Sequence, residues 1–344
     1  MIKNISYNRR SFLRLSAIAG AGVSIIPFTA FDSFSADKSL FPESNLTELT
    51  SGKRIGIIGL DTSHSEIFTK MINSGEVKGG YKVVAAYPHG SLDIPAALKM
   101  KPGIIAAVKG MGVEIVDSID ALLKKVDVVL LETIDGRPHY EQALPVIRAG
   151  KRMFIDKPIA ANLEDAKRLF AASTKYKSPI FSSSALRFDP TVQNVANGSI
   201  GKVIGADVYT PAEIDPHHLD LAWYGIHGVE MLFTVMGPGC KQVSRVYQEG
   251  TDLVTGVWDD GRIGTVRGIR TGSANIAGTA FGEKGIVPLG PFSSYVPLVE
   301  KIITFFDTGI PPVSAAETLE IFAFMDAADL SRRENGKRIS IEIK

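Results

Sequence analysis

Several features that would narrow the class of this protein are absent from its sequence. Only one of its 344 residues is cysteine, Cys240, so no disulfide can form within the chain. Lys and Arg number 38 against 37 Asp and Glu, and this net charge of +1 gives no reason to expect nucleic acid as a partner. Beyond the N-terminus, no apolar run is long enough to span a bilayer. The remaining composition, 45% apolar and 22% charged, is that of a globular chain long enough for two domains.

The first residues predict an export signal. Arg9 and Arg10 precede Ser11-Phe12-Leu13, and mainly apolar and small residues follow to about Ala30. A basic head before a short apolar stretch is typical of export signals, and the Arg-Arg-x-Phe-Leu order resembles a twin-arginine signal within residues 1–36. The alternative is a buried N-terminal helix. The signal predicts a periplasmic protein that is exported folded and has no membrane span once the signal is removed.

Strand and helix patterns alternate over residues 53–178. Short apolar runs such as Arg54–Gly59 and Val126–Leu131 are separated by helical periodicity, which predicts a doubly wound parallel sheet of the Rossmann type. Ser63 and Glu66 have the spacing of a capping box before a helix at roughly 65–74. Residues 105–109 predict only a short helical piece.

Residues 179–344 have a different pattern, with successive strands and few helices. Asp260-Gly261 predicts a hairpin turn, Ile226–Met236 a helix, and Ala315–Arg333 a long amphipathic helix. The predicted fold class is therefore α/β, with an N-terminal Rossmann-type sheet and a C-terminal α/β domain built on an open, mostly antiparallel sheet.

Four stretches carry a resemblance to the Gfo/Idh/MocA family of oxidoreductases. They are Gly56–Gly59, Val128–Thr133 with His139, Ala149–Pro158, and the pair Gly201–Gly205 and Phe281–Gly285. Asp156-Lys157-Pro158 resembles the family's Glu/Asp-Lys-Pro motif and is the most specific of these signals. The resemblance implies a nicotinamide cofactor, NAD or NADP, and a small carbohydrate substrate. It also implies a homo-oligomer that associates through the open sheet.

The expected dinucleotide loop is altered. A Gly-x-Gly-x-x-Gly loop lets backbone approach the pyrophosphate, but here the six positions are Gly59-Leu60-Asp61-Thr62-Ser63-His64. In one interpretation the Thr62 and Ser63 hydroxyls and the helix N-terminus still hold a phosphate. In the other, the site is repurposed, with Asp61 and His64 facing the cleft as a polar pair or Asp61 capping the helix. The candidate cofactor-binding residues are Gly59, Asp61, Thr62, Ser63, His64, Thr133, His139, Asp156, Lys157 and Pro158.

The predicted catalytic residues are Lys157 and His227. By resemblance, Lys157 points between cofactor and substrate and His227 acts as acid or base toward the sugar, although the family's orienting aspartate is Trp223 here. A partly buried lysine suits acid–base work. The candidate substrate-binding residues are Arg187, His217, His218 and Tyr224. A metal site of His217, His218 and Asp220 with His227 and Glu230 is chemically acceptable, but the spacing matches no metal motif and a polar substrate loop is favoured.

Three functions follow. The leading hypothesis is an NAD(P)-dependent oxidoreductase that acts on a sugar or cyclic polyol derivative and keeps its cofactor tightly bound. The second is a non-redox enzyme, such as a lyase, epimerase or glycoside hydrolase, that acts on a keto-sugar in the same cleft. The third is a catalytically silent carbohydrate-binding protein.

Overall fold

The first sheet lies in the N-terminal half of the chain and is wholly parallel. It has six strands in the order β3-β2-β1-β4-β5-β6. The strands are β1 (Arg54–Ile58), β2 (Lys82–Tyr87), β3 (Glu114–Ile115), β4 (Val128–Leu131), β5 (Met153–Ile155) and β6 (Ile180–Phe181). All four residues of β4 are buried, as expected for a strand covered by helices on both faces. The predicted Rossmann-type sheet is confirmed.

Five helices connect these strands. They are α1 (Ser63–Ser74), α2 (Pro95–Gly110), α3 (Ile119–Leu123), α4 (His139–Arg148) and α5 (Leu163–Tyr176). The predicted piece at 105–109 is the end of the longer helix α2, whose internal Pro102 and Gly103 weaken the sequence signal. We describe residues 53–341 from a computed structural model, so the predicted signal at 1–36 lies outside the described residues.

The start of α1 differs from the prediction. The helix begins at Ser63, and Thr62 is its N-cap residue, with the Thr62 hydroxyl accepting a hydrogen bond from the amide of His64 at 3.5 Å. The capping box led by Ser63 is therefore wrong by one residue. Gly59 precedes this turn with φ +87°, and a Cβ there would lie 2.4 Å from the Thr133 hydroxyl. Only glycine allows the end of β1 to approach the loop after β4 so closely.

The second sheet has seven strands in the order β12-β11-β7-β10-β9-β8-β13. They are β7 (Val203–Pro211), β8 (Cys240–Gln248), β9 (Thr251–Trp258), β10 (Ile263–Ile269), β11 (Ala277–Gly282), β12 (Gly285–Leu289) and β13 (Ile339–Ser340). All neighbours are antiparallel except β7 and β10, which confirms the mostly antiparallel prediction. The hairpin at Asp260-Gly261 joins β9 to β10, with Gly261 at φ +84°.

Helices α6 (Pro190–Ala196), α7 (Ile226–Met236), α8 (Val296–Thr308) and α9 (Ala315–Arg333) complete the described chain. The bounds of α7 and α9 are those predicted, and both helices contact one face of the second sheet. Helix α8 was not predicted. Although it follows β12 of the second sheet in the chain, its residues Leu298, Ile302 and Phe305 join the buried core of the first sheet around Ile55 and Leu130. None of the described helices is both long and apolar enough to cross a membrane.

Candidate functional site

The carboxyl ends of β1, β4 and β5 meet at one edge of the first sheet, the usual ligand-binding edge of this architecture. A cavity of about 360 Å³ opens there and extends to residues that follow β7 in the chain. Its polar lining includes Thr62, Ser63, His64, Asp156, Lys157, Ser183, Tyr224, His227, Asn275 and Tyr295. The cavity therefore brings together both catalytic candidates, Lys157 and His227, with the substrate candidate Tyr224. It also includes four further cofactor candidates, Thr62, Ser63, His64 and Asp156.

Lys157 and His227 reach this cavity from different halves of the chain. The Lys157 side chain is 7% exposed, and its ammonium nitrogen lies 5.5 Å from the centre of the Tyr224 ring. His227 begins the first turn of α7, and its Nδ1 lies 2.7 Å from the hydroxyl of Ser184. Burial, together with the positive charge of Lys157, holds the pKa of His227 well below its usual value. His227 is consequently neutral at neutral pH and able to accept a proton.

His64 is held by three neighbours. Its Nδ1 lies 2.7 Å from a carboxylate oxygen of Asp156, its Nε2 lies 3.1 Å from the hydroxyl of Tyr295, and its ring stacks on Phe68. Burial next to Asp156 raises the pKa of Tyr295 to about 12, so its hydroxyl stays protonated. Sequence analysis missed Tyr295 because it lies 231 residues from His64 and no motif surrounds it.

Glu132 is a second residue that sequence analysis did not select. It follows β4, is fully buried, and neither of its carboxyl oxygens has a hydrogen-bond partner among the described residues. Burial and the nearby Asp156 raise the pKa of Glu132 well above its usual value. The sequence carries one signal for Glu132, which directly follows the apolar run Val128–Leu131. A residue at the end of a buried strand is expected to be buried, and a buried carboxyl group is unusual.

Asp61 neither faces the cavity nor caps α1. Its carboxylate is 1% exposed and accepts hydrogen bonds from the amides of Ser91 at 2.6 Å and Ile134 at 3.1 Å. It therefore joins the loops that follow β2 and β4. Gly90 is required beside it, because a Cβ there would lie 2.1 Å from a carboxylate oxygen of Asp61. The proposed polar pair of Asp61 and His64, and the proposed cap, are both wrong.

This arrangement does not fit a dinucleotide in the usual pose. A Rossmann loop offers bare backbone to the pyrophosphate, but a buried carboxylate stands in its place and occupies two amides of the surrounding loops. Other cofactor candidates are engaged within the protein. Thr133 donates to Gln142 at 2.8 Å, and both ring nitrogens of His139 lie within 3.0 Å of carbonyl oxygens, those of Ile159 and Thr133. Pro158 is buried beside Lys157.

Three predicted substrate residues lie outside the cavity lining. The guanidinium of Arg187 is buried between Glu230, at 2.7 Å, and Glu317, at 2.6 Å. His218 accepts a hydrogen bond from the amide of Gly136 at 3.0 Å, and its Nδ1 lies 2.8 Å from Asp215. The His217 side chain is 47% exposed. The considered metal set does not converge, because Glu230 is paired with Arg187 and Asp220 with Arg332.

Residues 53–183 match the family model GFO_IDH_MocA, described as an oxidoreductase family with an NAD-binding Rossmann fold. This part of the chain is therefore similar to the Gfo/Idh/MocA family. Among similar proteins is a 1,5-anhydro-D-fructose reductase of Ensifer adhaerens. It is 32% identical to this chain over 118 residues, which are 33% of this chain and 35% of that protein. A myo-inositol 2-dehydrogenase of Thermotoga maritima is 29% identical over 219 residues, 58% of this chain and 59% of that protein. The matched segments thus span less than two thirds of either relative.

Solved structures share the fold over a larger part of the chain. A scyllo-inositol dehydrogenase of Lactobacillus casei, solved with NAD(H) and scyllo-inositol, superposes with a TM-score of 0.69 at 16% identity, covering 84% of this chain and 98% of that one. A myo-inositol 2-dehydrogenase of Lactobacillus plantarum gives 0.69 at 18% identity, covering 84% and 99%. At these identities the likeness concerns the fold. Together the comparisons show that residues 53–183 are similar to an NAD-binding oxidoreductase family and that most of the chain shares the fold of inositol dehydrogenases.

Proposed function

We propose that this chain is an enzyme of the Gfo/Idh/MocA family that acts on an oxidised sugar or cyclic polyol by proton transfer, without a nicotinamide dinucleotide. One observation carries the proposal. The candidate catalytic residues Lys157 and His227 line an open cavity, while the carboxylate of Asp61 stands in the loop after β1 and is held there by the amides of Ser91 and Ile134. The cavity volume, about 360 Å³, is at the lower end of the ~300–1,000 Å³ range of small-molecule pockets and suits one sugar ring.

The two polar groups have complementary tasks. Since Nδ1 of His227 is engaged by Ser184, its Nε2 is the nitrogen available to a ligand. Neutral His227 takes the proton from the carbon next to the keto group of the substrate, and the electron pair moves onto the keto oxygen. The ammonium of Lys157 stabilises the resulting enolate oxygen. Protonation of the same carbon on its opposite face gives an epimer, whereas loss of a leaving group with its electron pair from the neighbouring carbon gives an elimination product.

An NAD(P)-dependent sugar or polyol oxidoreductase is the second candidate. The match of residues 53–183 to an NAD-binding oxidoreductase family, and the named activities of the similar proteins, favour it. A cofactor would then have to bind in a shifted pose that leaves the contacts of Asp61 intact, or displace them.

The experiment that tests the proposal combines a nucleotide assay with an activity assay. Freshly purified protein is heat-denatured, and mass spectrometry of the supernatant detects any released nucleotide. In parallel, 3-keto sugars and oxidised inositols are incubated with the protein, with and without added NAD or NADP. We expect no nucleotide and a product that forms without it, at a rate reduced at least ~100-fold in His227→Gln. Bound nucleotide, or turnover only when nucleotide is supplied, would establish the oxidoreductase instead, and no turnover on any compound would support a binding protein.

We also propose that the chain is exported folded to the periplasm and that it forms a homo-oligomer. The twin-arginine pattern at residues 9–13 supports export. Large apolar side chains on the open face of the second sheet support association, with Val246 and Ile286 each 68% exposed and Ile263 53% exposed.

A further inference from the structure

The buried carboxyl group of Glu132 has no partner in the described protein, and it needs a physical explanation. Both of its oxygens are inaccessible, and neither accepts nor donates a hydrogen bond. Native proteins pair nearly all buried polar side chains, and an unpaired one commonly marks a missing ligand or a functional group. The loop after β4 nevertheless holds Glu132 at the ligand-binding edge of the first sheet.

Glu132 lies next to two residues of the cavity wall. One ligand atom from each of His64, Glu132 and Asp156 lies within 4.8 Å of the others, and all three residues are buried. This is the only such cluster among residues 53–341. His64 and Asp156 also line the cavity, so a ligand held by the three residues would face the substrate space.

The other contacts of these side chains resemble those that surround bound metals. A metal-ligating imidazole normally directs its second nitrogen to an oxygen, and Nε2 of His64 already lies 3.1 Å from the Tyr295 hydroxyl. Likewise, the second carboxylate oxygen of Asp156 accepts a hydrogen bond from the amide of Lys157 at 2.8 Å. The proton between Nδ1 of His64 and Asp156, 2.7 Å apart, is the one that a metal ion would replace.

We infer that His64, Glu132 and Asp156 form a binding site for a divalent transition-metal ion at the floor of the cavity. One imidazole and two carboxylates suit zinc, manganese or iron(II). A divalent charge would also balance the two carboxyl groups, since Asp156 otherwise has His64 and Lys157 beside it and Glu132 has Lys157. The remaining coordination positions would point to the cavity, where a keto or hydroxyl oxygen of a sugar could bind. The inference concerns binding and stands whether or not the proposed function is correct.

The test measures metal binding directly. The full chain is purified with a tag that contains no histidine, treated with chelator, and titrated with Zn²⁺, Mn²⁺ or, without oxygen, Fe²⁺ in a calorimeter and in thermal melts. We expect one equivalent of at least one of these ions to bind, with release of protons and a higher Tm. Glu132→Gln should weaken that binding by more than roughly 100-fold, because changes to mere outer contacts of a metal site already cost about 10–100-fold.

The control is Glu76→Gln, which changes an exposed carboxylate and should bind the metal as the unchanged protein does. Glutamine has nearly the shape of glutamate but is always neutral, so it can be buried at this position without taking up a proton. The metal-free Glu132→Gln variant should therefore melt no lower than the metal-free parent. If it does not fold, His64→Asn replaces it in the same titration. Absence of binding by all three ions, or equal binding by Glu132→Gln and Glu76→Gln, would overturn the inference.

Discussion

At the level of single residues, Asp61 occupies a position that the usual dinucleotide loop gives to glycine. This replacement puts a carboxylate where the loop would offer bare backbone to a pyrophosphate. The sequence placed the change correctly, because only the first glycine of the pattern remains. It did not indicate where the carboxylate would go. Asp61 bonds to Ser91 and Ile134, which are 30 and 73 residues away, and no local pattern encodes those contacts. Lys157 and His227, in contrast, were selected as candidates because a motif surrounds each of them, and both line the cavity.

His227 gives a prediction about pH. Burial and Lys157 lower its pKa in the folded protein, so below about pH 6.5 the unfolded chain binds a proton that the folded chain does not. The contribution of this residue to stability is therefore lost as the pH falls. Urea unfolding at pH 7.5 and pH 5.0 should show a larger loss of unfolding free energy in the unchanged protein than in His227→Gln. His89→Gln, at an exposed histidine, is the control and should keep the full loss. Equal losses in the protein and in His227→Gln would contradict the prediction.

At the level of elements, a buried ion pair fixes the short segment that leads from β6 to the second sheet. Arg187 lies on a single 3-10 turn, Ala185–Phe188, and pairs with Glu230 of α7 and Glu317 of α9. The sequence predicted both helices, α7 from an apolar stretch that ends at Gly237-Pro238 and α9 from the amphipathic pattern of residues 315–333. It predicted a substrate contact for Arg187, whereas the partner glutamates come from helices 43 and 130 residues away.

This ion pair predicts a large effect on stability. Glu230→Gln leaves the guanidinium of Arg187 buried with Glu317 as its remaining carboxylate. The expected loss of unfolding free energy is about 3 kcal/mol, the lower end of the ~3–5 kcal/mol seen when a buried pair is broken. The matched control is Glu164→Gln, whose carboxylate is 77% exposed and pairs with Lys167, and it should cost less than about 1 kcal/mol. Denaturant melts of both variants measure the difference, and similar small losses would show that the pair does not hold the segment.

At the level of the whole molecule, the two sheets expose very different surfaces. The first is covered by helices on both faces, and α8 completes its core although it belongs to the C-terminal part of the chain. The sequence could not show where α8 packs, because no local pattern of residues determines which of two sheets a helix covers. The second sheet is covered by α7 and α9 on one face only. Val246 and Ile263 alternate with buried neighbours along their strands, so they lie on the uncovered face. Ile286 lies on the same face, because the register pairs it with Phe281, Phe281 with Gly205, and Gly205 with Ile263.

The uncovered face predicts association between copies of the chain. Ile263 of β10 is 53% exposed, and the strand register places it in one row with Phe281 of β11 and Ile286 of β12, which is 68% exposed. Contiguous exposed apolar surface of this kind is commonly an interface. Light scattering of the eluted protein should give the mass of a dimer or a larger assembly. Ile263→Glu would bury a charge in that interface and should raise the Kd of association at least roughly tenfold, equivalent to about 1.4 kcal/mol. Ile310→Glu replaces an isoleucine that is 72% exposed in the loop after α8, and it should leave the mass unchanged. A monomeric parent, or an Ile263→Glu variant that associates as tightly as the parent, would show that this face is not the interface.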